Sequence, residues 1–119
     1  MAKITSYNFG FIVVDGKQYL HDVIILPDGS VKEREPGRGR LGSHSITSAE
    51  IQKLQQYQPD YILIVNGASG MARLSEDARS YLSNPDTNIQ MLPSLRAVQK
   101  FNQLTDEGKH VAALIHVTC

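Results

Sequence analysis

His110-Val111-Ala112-Ala113-Leu114-Ile115-His116-Val117 is the stretch that decides the fold of this chain. Between its two histidines every residue is apolar. A strand with one wet face alternates polar and apolar residues; one covered on both faces does not. The run therefore reads as a central strand. Just upstream, Leu95, Val98, Phe101 and Leu104 recur every third residue with Ala97 alongside, which predicts a helix with one apolar stripe. Ser94, after Pro93, is placed to cap that helix, and Gly108 suits a left-handed stop. Asn88 to Leu92 precedes it as a strand. A second helix is expected from Ser75, with Ala78, Tyr81 and Leu82 facing inward and Asn84-Pro85-Asp86 ending it. Tyr61 to Val65 is another almost wholly apolar run, so it should lie beside or near the closing strand. Before it, Thr47 and Glu50 have the spacing of a capping box, and Ile46 and Ile51 that of a hydrophobic staple. Ile51, Leu54 and Tyr57 form the stripe of this first helix, and Pro59 stops it.

The N-terminal part reads as β structure. Phe9 to Val14 is a strand, Asp15-Gly16 a tight hairpin turn, and Tyr19 to Leu26 the returning strand. Pro27-Asp28-Gly29 signals another turn before a short strand from Val31 to Arg34. Glu35 to Ser45, rich in Gly, Arg and Ser, is a loop. Strands separated by single helices imply right-handed parallel crossovers. The expected sheet is thus mixed, with helices on its faces and a hairpin packed at one edge or face.

The bulk properties are ordinary. The chain has 119 residues, 41% hydrophobic and 20% charged, which fits one domain spanning residues 1–119. Twelve Lys and Arg balance twelve Asp and Glu. Without excess positive charge there is no general drive toward nucleic acid or anionic membrane, so neither is expected as a partner. No apolar run approaches the length of a membrane span, and Met1-Ala2-Lys3-Ile4 lacks the apolar core of a signal peptide. The lone cysteine, Cys119, cannot form an internal disulfide. A cytoplasmic protein is expected.

No chemical constellation stands out. His116 and Cys119 invite a thiol–imidazole reading, but residues three apart on a straight strand point to opposite faces. His116 is better read as a buried or half-buried histidine with a satisfied partner. His21, His44, His110 and His116 share no ligand spacing, so no metal is expected. Gly67-Ala68-Ser69-Gly70 follows a strand and could offer backbone N–H groups to an anion. No Gly-Lys-Ser/Thr follows, so it is not a Walker loop, and the first glycine of a dinucleotide fingerprint is missing. No cofactor is expected. Lys32, Arg34, Arg38 and Arg40 are interrupted by Glu33 and Glu35, the pattern of a solvated loop.

Near the C-terminus the residues become specific. Ala97, the pair Phe101-Asn102, Gly108, and the ending His116-Val117-Thr118-Cys119 together resemble the Mth938-like (DUF498) family, that of the adipogenesis-associated Mth938 domain-containing protein. Asp22 ahead of an apolar strand, Pro27-Asp28-Gly29 and Gly67 extend the resemblance upstream. Val65 stands where the family's first loop glycine lies. The resemblance implies an α/β, three-layer fold with a central mixed β-sheet flanked by helices and an N-terminal β-hairpin part. It implies little about activity. One relative looks like an assembly factor for respiratory complex I, which points to binding of another protein rather than catalysis. Two readings follow. One is a non-enzymatic binding or assembly-factor-type protein. The other is a small-molecule or anion-binding protein, or an enzyme, with a pocket near Gly67–Gly70. Its candidate ligand-binding residues are Asp22, Gly67, Ser69, Ser94, Asn102 and His116.

Overall fold

A computed structural model describes residues 3–8, 10–33, 45–46, 48–66, 73–74 and 88–117. Three strands at the start, β1 (Ile4–Asn8), β2 (Phe11–Val14) and β3 (Lys17–Tyr19), form an antiparallel sheet in that order. Asp15 and Gly16 join β2 to β3 with φ of 52° and 83°. Two successive positive φ values give the tight hairpin turn that the dipeptide predicts, and make it type I′.

The chain then changes sheets. Leu20, His21 and Asp22 break the run, and β4 (Val23–Ile25) begins in a second sheet. The single strand expected over Tyr19 to Leu26 is therefore two strands in two sheets. At the next turn the Leu26 carbonyl accepts from the Gly29 N–H (2.8 Å), and the Leu26 N–H donates to Ser30 (2.9 Å). Gly29 takes φ 91°, a conformation disfavoured for L side chains. Asp28 locks the turn by accepting from both the N–H (2.9 Å) and the hydroxyl (2.7 Å) of Ser30. The hydrogen bonds from Ser30 hold the Asp28 carboxyl below its ordinary value of 3.8. Strand β5 (Val31–Glu33) pairs back on β4.

The second sheet has five strands in the order β5-β4-β10-β7-β9, with β7 (Tyr61–Asn66), β9 (Asn88–Leu92) and β10 (Val111–His116). Strand β4 is antiparallel to β10, whereas β10, β7 and β9 run parallel. The sheet is mixed, and the two apolar runs are adjacent: Val111 lies opposite Tyr61 and His116 opposite Asn66. Every residue of β10 is buried. A two-residue parallel pair joins β6 (Ser45–Ile46) to β8 (Arg73–Leu74).

Strand alternation sorts the core into two faces. Leu63, Val65, Val111, Ala113 and Ile115 pack with Ala97, Phe101 and Leu104 of α2 (Ser94–Asp106), and with Ile4, Tyr7, Ile12 and Val14 of the three-stranded sheet. Ile62, Ile64, Ala112 and Leu114 pack with Ile51 and Leu54 of α1 (Ser48–Gln55). The result is α1 on one face of the central sheet, and α2 with the smaller sheet on the other.

Three expectations about the helices also need correction. Leu95 is 66% exposed. At about 100° per residue it lies some 200° around the helix from Ala97, off the stripe of Ala97, Phe101 and Leu104. Ser94 is the first helical residue rather than the cap; extended Pro93 is the cap, and its carbonyl accepts from the Ala97 N–H (3.1 Å). Tyr57 is half-exposed beyond the end of α1. That helix stops at Gln55, and Gln58 takes φ 52°, so the backbone has left the helix before Pro59 is reached. Thr47 of the capping box, the second helix from Ser75, and residues 34–44 of the Arg/Gly loop lie outside the described residues.

Candidate functional site

Asp22 is the last residue before β4, and its position follows from register. Val23 pairs with Ile115, so the residue before Val23 falls beside His116 at the end of β10. There the Asp22 carboxylate meets donors with both oxygens. One oxygen lies 2.8 Å from His116 Nδ1, and the other accepts from the Val117 N–H at 3.0 Å. A carboxylate only accepts, so the imidazole donates to it through Nδ1–H. The His116 side chain is 2% exposed and that of Asp22 17%. This is the buried histidine with a satisfied partner that the sequence predicts.

Two further ties converge on the end of β10. The hydroxyl of Tyr7, a buried residue of β1, donates to the His116 carbonyl. The Gly10 N–H, in the β1–β2 turn with φ 89°, donates to the Val117 carbonyl at 2.7 Å. The end of β10 is thus where the small sheet, the crossover and the central sheet meet. Nothing local in the sequence marks Tyr7, whose contact spans 109 residues of chain.

Asn102 faces β1 instead of this pair. Its side-chain oxygen accepts from the Ile4 N–H (2.9 Å) and its NH2 donates to the Ile4 carbonyl (2.7 Å). Both ends of the amide fasten β1 to α2. Ser94 stands at the start of α2, at the same carboxyl-terminal side of the parallel strands that β9 ends on. Gly67 and Ser69 follow Asn66, the partner of His116, and lie outside the described residues, as does Cys119.

A carboxylate holding Nδ1 of an imidazole can serve chemistry, since it orients the ring in hydrolytic triads and in metal sites. Among the described residues no three His, Cys, Asp or Glu side chains are grouped to hold a metal ion. No helix among them is long and apolar enough to cross a membrane.

An open groove of roughly 410 Å³ lies elsewhere, lined by Lys17, Gln18, Tyr19, Leu20, His21 and Glu33. Lys17 Nζ sits 5.3 Å from the Tyr19 ring centre, and His21 meets that ring edge-on at 6.1 Å. His21 Nε2 is 3.9 Å from Glu33, and Leu20 is 70% exposed. The sequence gives no sign that these residues share a groove.

Comparison with known proteins agrees with this architecture. The family described as "Protein of unknown function (DUF498/DUF598)" matches residues 4–116. The solved structure named MT938 is 28% identical, with a TM-score of 0.82 and full coverage of both chains. A conserved hypothetical protein from Pyrococcus horikoshii is 30% identical, with a TM-score of 0.83, covering 98% of this chain and 99% of its own. A Mth938-like domain from Bordetella pertussis shares the fold at 17% identity and a TM-score of 0.65, over 98% of this chain and 85% of its own. No curated protein matches. With the family match spanning nearly its whole length and the MT938 architecture reproduced over all of it, the chain belongs to the DUF498/DUF598 family of unknown function and has the Mth938-like fold.

Proposed function

We propose that this protein acts by binding another protein, as a non-enzymatic factor of the assembly type. One observation carries the reading: among the described residues, the site side chains best suited to chemistry are spent on the scaffold. Asp22 and His116 hold each other and the end of β10, and Asn102 holds Ile4. His116→Asn separates this reading from catalysis. The shorter amide keeps a donor near the Nδ1 position for Asp22 and removes the imidazole's proton chemistry. Cells carrying His116→Asn at normal abundance should retain the protein's function, and affinity purification should recover the same partner at the same stoichiometry. Loss of function in a folded, normally abundant variant would overturn the reading.

A second reading is favoured by one placement. His116 lies opposite Asn66 at the carboxyl ends of adjacent parallel strands, directly before Gly67–Gly70 in the chain. Open α/β sheets bind ligands beyond such ends. Titration with inorganic phosphate, followed by amide NMR, tests it. Saturable shifts at Gly67–Gly70 that weaken in His116→Asn would support an anion site, and no shift at millimolar phosphate would remove it.

A further inference from the structure

We draw no further inference here: the strongest candidate, the open groove beside edge strand β3 lined by Lys17, Tyr19, Leu20, His21 and Glu33, is a solvent-facing surface, and nothing in the structure shows what covers it.

Discussion

The Asp22 carboxylate offers one oxygen to His116 Nδ1 and the other to the Val117 N–H. Asp22→Asn leaves a single acceptor for both. One buried donor must then go without, or the imidazole must move its proton to Nε2 and accept from the new amide. An unmet buried donor costs about 1–3 kcal/mol. The variant should therefore unfold at lower denaturant with an unchanged slope, and ¹⁵N NMR should show a changed His116 tautomer balance. An unaltered midpoint and tautomer would mean that the carboxylate does not hold the ring. Asp28 gives a pH test of its own. Its folded value lies below 3.8, chiefly because of the Ser30 hydroxyl and N–H. The turn's contribution is complete above the unfolded value and is lost as pH falls through the lower folded one. The Asp28 titration followed by ¹³C NMR should have a midpoint below 3.8, and Ser30→Ala should raise it; a midpoint at or above 3.8 would contradict the turn as described.

Each element is readable in proportion to how local its causes are. The Asp15-Gly16 turn, the Pro27-Asp28-Gly29 turn and the apolar strands β7 and β10 declare themselves within a few residues. So does the end of α2. Gly108 takes φ 82°, its N–H donates to Thr105 (3.0 Å) and the Lys109 N–H to Leu104 (3.0 Å), which together form a Schellman stop. No side-chain clash would meet an added Cβ there, so the conformation alone penalises Gly108→Ala. It should cost about 1–2 kcal/mol, read from chemical denaturation. A neutral substitution would show that α2 ends differently. Strand β1 is not legible, and the reason is a bulge. Its register shifts between Ile4 and Ser6, so Ile4 and Tyr7 both face the core although three residues apart. That spacing erases the period of two by which a half-buried strand is recognised. The break at Leu20–Asp22 is hidden for the opposite reason: two strands in different sheets follow so closely that they read as one. In the candidate site, Asp22, Asn102 and His116 stand out in the sequence, but not what they do. Their partners lie 94 to 98 residues away, and only the folded sheet order brings them together.

In the molecule as a whole, the last described strand in the chain stands in the middle of the central sheet. Strand β10 is the shared neighbour of β4 from the N-terminal part and β7 from the C-terminal part. A chain ending at Lys109 would leave these two without a common partner and lose the buried side chains of Val111 to Ile115 from both faces. It should show no cooperative unfolding transition by circular dichroism; a cooperative transition would mean that the halves join without β10. The same strand ends at the junction with the small sheet. The packing of Ile4, Tyr7, Ile12 and Val14 against α2 and the central sheet supplies most of the attachment there, at roughly 1.5–3 kcal/mol for each fully buried side chain. The Asp22–His116 pair adds direction: it sets where the chain crosses from one sheet to the other.

That the pair is a structural joint is the claim on which the binding reading depends. A double-mutant cycle in denaturant stability, with Asp22→Ala, His116→Ala and the double variant, tests it most directly. The two side chains touch, so the double variant should lose less than the sum of the singles, with a coupling of about 1–3 kcal/mol. Additive losses with a coupling near zero would contradict it, and would leave the half-buried carboxylate and the buried imidazole to be explained by what they do rather than by what they hold.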